Sequence, residues 1–140
     1  MIKVKTDDVR INTVREVFSP QKLLEEIPIS DKSSEVVYKC RKSISEILFG
    51  RDDRLLVIIG PCSIHDPKAA LEYAKNLLHY RNLHSDNLEI VMRVYFEKPR
   101  TTVGWKGYIN DPHLNNSFDI NTGLNLARNL LCKINELGLP

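Results

Sequence analysis

The chain has 140 residues, 42% of them hydrophobic and 27% charged, and its formal net charge is +2. This length suits one globular domain or part of a larger one, and the composition argues against disorder. The small net charge argues against nucleic-acid binding, and the lack of any apolar run near the roughly 20 residues that span a bilayer, or of an apolar signal core, favours a cytoplasmic protein that does not contact membranes.

The chain is predicted to begin with an arm and a short helix. Residues 1–18 show no clear period, which indicates an extended arm running into a weak helical turn. Ser19 suits an N-cap and the following proline suits the first helical position, so we expect a helix over Pro20–Glu26. It should end before Pro28, because the residue before a proline avoids helical geometry.

A second, longer helix follows. Residues 33–49 carry apolar side chains at three- and four-residue spacing, which predicts an amphipathic helix with Cys40 in its apolar stripe and Gly50 at its C-terminal cap. Cys40, Cys62 and Cys132 are odd in number and widely spaced, which argues against a disulfide framework or a Cys-x-x-Cys metal knuckle. We treat residues 1–50 as an N-terminal extension.

Residues 51–140 have the pattern of alternating strands and helices. The runs Leu55–Ile59 and Leu88–Phe96 predict strands buried on both faces, about 35 residues apart as in one βα repeat. A helix capped by Asp66 should lie between them, and a last helix should run from about 121 to 137. Two parallel strands cannot be a finished sheet, so the sequence predicts the N-terminal part of a larger α/β protein, with a barrel as the favoured architecture.

A cluster of positive charge follows the second strand. Arg93 lies in the apolar run, where an unpaired charge is costly, and therefore needs an anionic partner, either a ligand or a carboxylate elsewhere in the chain. Lys98 and Arg100 follow at the start of a loop over residues 97–118, which is long for a plain connection. Arginine and lysine crowded on one loop are typical of a site for phosphate or carboxylate. Trp105 is expected to pack this loop down, and Lys106 and Asp111 are given no chemical role.

Two residues after the first strand have an open interpretation. Cys62 is either a thiolate acting as a metal ligand or nucleophile, or a small buried hydrophobe. His65 is either a metal ligand or, as we favour, a turn residue bonded to backbone.

Two long segments carry a resemblance to a known family. Gly60-Pro61-Cys62-Ser63-Ile64-His65-Asp66 and the run from Arg93 to Gly107, Arg-Val-Tyr-Phe-Glu-Lys-Pro-Arg-Thr-Thr-Val-Gly-Trp-Lys-Gly, resemble the type I DAHP synthases, or phospho-2-dehydro-3-deoxyheptonate aldolases. The resemblance extends to the Asn110-Asp111-Pro112 turn and the Gly138-Leu139-Pro140 end, so it covers nearly the whole chain.

The resemblance implies an enzyme of the shikimate route to chorismate and the aromatic amino acids, built as a (β/α)8 TIM barrel with an N-terminal extension. Residues 51–140 would form its first two βα units and would be incomplete alone. The reaction would condense phosphoenolpyruvate with erythrose 4-phosphate and release phosphate. Cys62 would bind a catalytic divalent metal (Mn, Fe, Co or Zn). Arg93 and Lys98 would contact phosphoenolpyruvate, and the erythrose 4-phosphate pocket would be formed by Lys98, Pro99, Arg100 and Thr101.

The same resemblance carries expectations about regulation and completeness. The arm around Asp7 and Asp8, otherwise most simply a solvated arm, would help bind an aromatic amino acid inhibitor, and the full-length protein would be a homo-oligomer. The other metal ligands, a His, a Glu and an Asp, would lie beyond Pro140. We therefore expect the 140-residue chain alone to be inactive and poorly folded.

Three competing interpretations follow from the same residues. A related synthase could use arabinose 5-phosphate, although Lys98-Pro99-Arg100-Thr101 matches the erythrose 4-phosphate users. Lys98 could instead form a Schiff base, which would leave Cys62 unexplained. The chain could also be a non-catalytic remnant or an effector-binding piece.

Overall fold

The structure is a computed structural model that describes residues 6–11, 13–100 and 103–140. It is a mixed α/β fold whose elements are α1 (Pro20–Glu26), α2 (Asp31–Leu48), β1 (Leu55–Ile59), α3 (Pro67–Leu83), β2 (Leu88–Met92) and α4 (Ile120–Leu137). None of the helices in these ranges is both long and apolar enough to cross a bilayer.

The two strands form a parallel sheet, as predicted. β1 and β2 pair from Leu55 opposite Leu88 to Ile59 opposite Met92. Helix α3 connects them, with the Asp66 carboxylate accepting from the backbone N–H of Lys68 as its N-cap. The carboxyl ends of β1 and β2 therefore lie side by side, which is where ligands bind in parallel α/β proteins.

The helices of the extension follow their local signals. The Ser19 hydroxyl caps α1 at the predicted position by accepting from the N–H of Lys22. Helix α2 begins slightly earlier than predicted because Ser30 is its N-cap, and Gly50 follows it with φ +69°. Cys40 is buried in the apolar stripe, as expected.

Strand β1 is not buried on both faces, and this prediction was wrong for the chain as described. Leu55, Ile58 and Ile59 are 65%, 62% and 45% exposed. In the described ranges β1 pairs with β2 on one side only, and α2 is the only described helix that contacts it, so side chains on both faces of β1 remain largely uncovered. β2 is shorter than predicted, ending at Met92 before the chain turns into the loop.

The core lies around α3, which packs on β2 on one side and on α4 on the other. Its buried members include Ala70 and Ala74 of α3, Met92 of β2, and Leu130 and Ile134 of α4. Leu130 is 2% exposed and faces this core, whereas its neighbour Leu131 is 37% exposed. Gly138 ends α4 in the left-handed conformation.

A buried carboxylate ties the amino ends of the strands to two helices. Glu89 of β2 is only 3% exposed, and its oxygens accept from Arg81 of α3 at 2.6 Å and from Arg54 at 3.1 Å. The Ser43 hydroxyl of α2 donates to the same carboxylate at 2.8 Å. We predicted this stretch as an apolar strand and did not anticipate the role of Glu89, although a lone acid within Leu-Glu-Ile-Val-Met was a visible signal.

Candidate active site

The tips of the two strands touch at Gly60. The N–H of Arg93 donates to the carbonyl of Ile59 at 2.9 Å, which extends the strand pairing by one residue. A Cβ added at Gly60 would lie 2.0 Å from the carbonyl oxygen of Arg93. Only glycine allows this approach, so Gly60 sets the spacing between the loop that carries Cys62 and the segment that carries Arg93.

Gly60→Ala should lower the free energy of unfolding by about 3 kcal/mol, because the methyl group would collide with backbone rather than with a movable side chain. Urea denaturation measures the loss. Gly50→Asn is the matched control, since nothing lies within 4 Å of a Cβ at Gly50 and asparagine tolerates its positive φ; it should cost below about 1 kcal/mol. Equal losses in the two variants would contradict the close approach at Gly60.

The thiol of Cys62 and the ammonium of Lys98 lie together at this edge of the sheet. Lys98 Nζ donates to Cys62 Sγ at 3.0 Å, although the residues are 36 positions apart. Cys62 is exposed, so the interpretation of it as a small buried hydrophobe was wrong. The hydrogen bond and charge of Lys98, with a smaller effect of Arg93, lower the pKa of the Cys62 thiol. The arrangement favours a thiolate, the form that binds metals and attacks electrophiles.

Alkylation should report the lowered pKa directly. Because only the thiolate reacts, the rate at which iodoacetamide modifies Cys62 should rise with pH through that pKa. Lys98→Met removes the cation and should shift the profile to higher pH. Peptide mass spectrometry after timed alkylation in chelator assigns the rates to Cys62. Lys39→Met, at an exposed position on α2, should leave the profile unchanged. Superimposable Lys98→Met and parent profiles would show that Lys98 does not stabilise the thiolate.

Arg93 binds backbone carbonyls and not a carboxylate. One of its terminal nitrogens donates to the carbonyl of Pro61 at 2.7 Å and to that of Cys62 at 3.1 Å. The guanidinium carbon lies 4.4 Å from the centre of the Tyr95 ring. Arg93 follows the end of β2 and is half-buried, so the free-energy cost of burying its charge is smaller than we expected. The ion pair with a carboxylate that we considered is not seen in the described residues. Its charge remains available to an anion.

The loop after β2 has more structure than its turn-forming residues predicted. Glu97 and Gly107 form an antiparallel bridge, and the N–H of Lys98 donates to the carbonyl of Lys106 at 2.9 Å. Gly107 has φ +126°, and a Cβ there would lie 2.3 Å from the carbonyl oxygen of Phe96. The first part of the loop, residues 97–107, is therefore a hairpin whose two paired ends fix the backbone of Lys98.

The other loop cations are linked to each other through backbone. Arg100 Nε donates to the carbonyl of Trp105 at 3.2 Å, and Lys106 Nζ donates to the carbonyl of Arg100 at 3.0 Å. Pro99 is exposed on the hairpin, and Thr101 lies outside the described residues. Within the described ranges, no carboxylate lies within 4.0 Å of the loop cations or of Arg93. The site thus holds an excess of positive charge.

The side chains that follow β1 fit part of a metal site. An exposed thiolate is a good ligand for a divalent transition metal. However, the described residues contain no group of three or more His, Cys, Asp and Glu side chains that could hold a metal. The ring of His65 packs edge-on against Trp105, with 6.4 Å between centroids. The described residues thus offer a metal the Cys62 sulfur and not a complete coordination shell.

The predicted effector residues lie away from this cluster. Asp7 and Asp8 are exposed on the arm, which makes a single turn where the N–H of Ile11 donates to the carbonyl of Asp8. The arm is fastened to α4 because the side chain of Asn121 bonds the backbone of Glu16 and Phe18. A cleft lies between the arm and the start of α4, and neither Asp7 nor Asp8 is among its described lining residues.

The sequence indicated one of the two residues that hold the loop. Trp105 was expected to pack the loop down, whereas Asp111 was given no role. The indole N–H of Trp105 donates to the carbonyl of Asp111 at 2.8 Å, and Asp111 is 2% exposed. An aspartate in an Asn-Asp-Pro turn is an ordinary turn signal, so the pattern of residues contained no indication that it would be buried.

Comparisons with known proteins identify the family of the chain. The family model of the DAHP synthetase I family matches residues 26–135. The chain is 60% identical over 136 residues to the Phe-sensitive phospho-2-dehydro-3-deoxyheptonate aldolase of Escherichia coli K12, covering 97% of the chain and 39% of that protein. It is 56% identical over 139 residues to the aldolase of Haemophilus influenzae, covering 99% and 38%.

A solved structure extends the match to three dimensions. The phospho-2-dehydro-3-deoxyheptonate aldolase of Francisella tularensis superposes with a TM-score of 0.88 at 52% identity, over 93% of the chain and 38% of that structure. The chain therefore spans about two fifths of the length of these relatives. With a family model matched over most of its length, the chain belongs to the DAHP synthetase I family.

Proposed function

We propose that the protein containing this chain condenses phosphoenolpyruvate with erythrose 4-phosphate, the first step of the shikimate pathway. A bond forms between the methylene carbon of phosphoenolpyruvate and the aldehyde carbon, water is consumed, and phosphate is released with 3-deoxy-D-arabino-heptulosonate 7-phosphate. The observation that carries the proposal is the placement of the Cys62 thiol, the Lys98 ammonium and the Arg93 guanidinium at one sheet edge. The relatives' names support it.

The cations would hold and orient the two anionic substrates. Arg93, anchored on the carbonyls of Pro61 and Cys62, would bind phosphoenolpyruvate through its remaining N–H groups. Lys98 would lie between the two substrates, where its charge polarises the aldehyde and stabilises the negative charge that develops on its oxygen. Arg100, with Pro99 and Thr101, would bind erythrose 4-phosphate, and Arg100 would supply the charge for its phosphate.

Cys62 would be one ligand of a divalent metal. Once bound there, the metal would act as a Lewis acid on the aldehyde or orient a water. Lys98 lowers the pKa of this thiol and so favours the thiolate, which is the ligating form. The remaining ligands would come from outside the described residues, which is why we propose that the 140-residue chain alone is inactive.

We propose that residues 51–140 form the first two βα units of a (β/α)8 barrel and residues 1–50 its extension. The exposed outer edge of β1 supports this, because a closed barrel would place another strand there. An aromatic amino acid as inhibitor, with Asp7 and Asp8 in its site, is proposed because relatives are named Phe-, Trp- and Tyr-sensitive. We also propose that the full-length protein is a homo-oligomer.

The test uses the protein expressed from its complete coding sequence. We expect phosphate release that requires both substrates and is abolished by chelator, and a seven-carbon product by mass spectrometry. Turnover of arabinose 5-phosphate in place of erythrose 4-phosphate would favour the related synthase. A substrate adduct on Lys98 that borohydride traps would indicate a Schiff-base aldolase. Binding of an aromatic amino acid without turnover would favour an effector-binding remnant, and the proposal would then be rejected.

A further inference from the structure

The side chain of Arg100 takes its direction from a short backbone turn. Arg100 is exposed, and its Nε donates to the carbonyl of Trp105. Its methylene stem runs beside Gly104, where an added Cβ would lie 2.9 Å from Arg100 Cδ. The position of the guanidinium therefore depends on where the Gly104–Trp105 backbone lies.

Trp105 is itself fastened from its other end. Its indole N–H donates to the carbonyl of Asp111 at 2.8 Å, and its ring meets His65 edge-on. The indole thus links the hairpin to two segments outside it, the turn at Asp111 and the loop after β1. Of these links, only the bond to Asp111 is a directional hydrogen bond that phenylalanine cannot make.

Asp111 is a rigid anchor for that bond. It is 2% exposed, and its own N–H donates to the carbonyl of Gly107 at 2.9 Å. One carboxylate oxygen accepts from the N–H of Asn116 at 3.1 Å, while the other has no hydrogen-bond partner among the described residues. Leu114 has φ +57°, which is strained for a leucine, whereas Asn116 at φ +59° is of a residue type that tolerates this conformation. The Asp111 carboxylate therefore holds this turn through its bond to Asn116. It is buried although one of its oxygens has no partner among the described residues.

Arg93 and Lys98 are held by other contacts. Arg93 bonds the carbonyls of Pro61 and Cys62, and the backbone of Lys98 bonds that of Lys106. Neither contact passes through the indole. A change at Trp105 or Asp111 should therefore displace Arg100 and leave the phosphoenolpyruvate side of the site in place.

We propose that Trp105 and Asp111 are positioning residues that set the guanidinium of Arg100, and so set the affinity for the phosphate of the aldose substrate. This rests on the proposed function, in which Arg100 binds that phosphate. The two residues do not touch the reacting atoms. The indole N–H of Trp105 and the buried carboxylate of Asp111 would fix the direction of the Arg100 side chain, which is exposed to solvent.

The test compares Trp105→Phe with the parent in the protein expressed from its complete coding sequence. We expect the KM for erythrose 4-phosphate to rise roughly two- to tenfold, the effect of one lost hydrogen bond. The kcat and the KM for phosphoenolpyruvate should change less than about twofold. Asp111→Ala should reproduce this pattern and Asp111→Asn should largely restore the parent values, because asparagine still offers an oxygen to Asn116. Asn115→Ala, at the exposed tip of the same loop, is the control.

A second measurement does not require turnover. In a ¹⁵N-labelled protein, the indole N–H signal of Trp105, assigned by its absence in Trp105→Phe, should shift on titration with inorganic phosphate. Arg100→Ala should abolish the shift. An unmoved signal, or equal rises of both KM values in Trp105→Phe, would overturn the proposal that Trp105 and Asp111 position Arg100. A parent protein that shows the phosphate-dependent shift but no condensation would instead reject the proposed function and leave the positioning of Arg100 supported.

Discussion

Lys98→Met should reduce the kcat of the condensation at least about a hundredfold, the usual loss when a group that stabilises charge in the transition state is removed. In the proposed site the ammonium of Lys98 faces both substrates, and it lies 3.0 Å from the sulfur of Cys62. The substitution removes the positive charge beside the aldehyde, and it also raises the pKa of the Cys62 thiol. Steady-state kinetics with both substrates varied, in metal-saturated protein, measures the loss.

A matched substitution separates this effect from a general loss of positive charge. Lys39→Met removes a lysine of α2 whose ion pair with Glu35 is exposed, and it should leave kcat within about twofold of the parent. Metal content is measured in parallel, because a weaker thiolate also binds metal less well. If Lys98→Met retained more than about a tenth of the parent kcat at full metal content, Lys98 would not be the residue that polarises the aldehyde.

Glu89→Ala should lower the free energy of unfolding by about 3 kcal/mol, because it leaves the guanidinium groups of Arg54 and Arg81 beside a buried void. The carboxylate is 3% exposed in its side chain, whereas the two arginines are 26% and 25% exposed. Their partial access to water places the loss at the lower end of the range for broken buried pairs. Urea unfolding followed by circular dichroism gives the value.

Two further substitutions define the cause. Glu89→Gln keeps the side-chain volume and one acceptor for Ser43. It should therefore lower the free energy of unfolding less than Glu89→Ala does. Glu46→Ala removes the surface pair with Arg51 and should lower the free energy of unfolding far less than Glu89→Ala does, because water screens exposed charges. Because Glu89 lies near the amino end of β2, kcat per folded molecule should not change in any of the three. A large fall in kcat with unchanged stability would mean that this network acts on the site and not on the fold.

The parts of the fold that local chemistry decides were predictable from the sequence. Ser19 and Asp66 cap helices where the N-cap and proline signals placed them, and Gly138 ends α4 with a positive φ. The meeting of Cys62 with Lys98 was also predictable, since parallel strands bring their carboxyl ends to one edge. The family resemblance named the same residues, and the structure adds the contact between them. Their chemical roles stay predictions until kinetics test them.

The parts that depend on tertiary context were not predictable. A run such as Leu-Leu-Val-Ile-Ile shows that a strand suits an apolar environment, but not whether the described chain supplies a cover for each face. Arg93 illustrates the same limit for charge. We expected an anion for it, whereas two backbone carbonyls satisfy part of its guanidinium. Asp111 was missed because a turn motif carries no information on which turn residue becomes buried.

The bare outer edge of β1 bears on how the 140-residue chain would behave in a test tube. Leu55, Ile58 and Ile59 lie beside N–H and C=O groups that have no strand partner in the described ranges, which is the arrangement that recruits a strand from a neighbouring molecule. Material made as this chain alone would then grow into larger particles as its concentration rises, so turbidity and light scattering need checking before any absence of activity is interpreted.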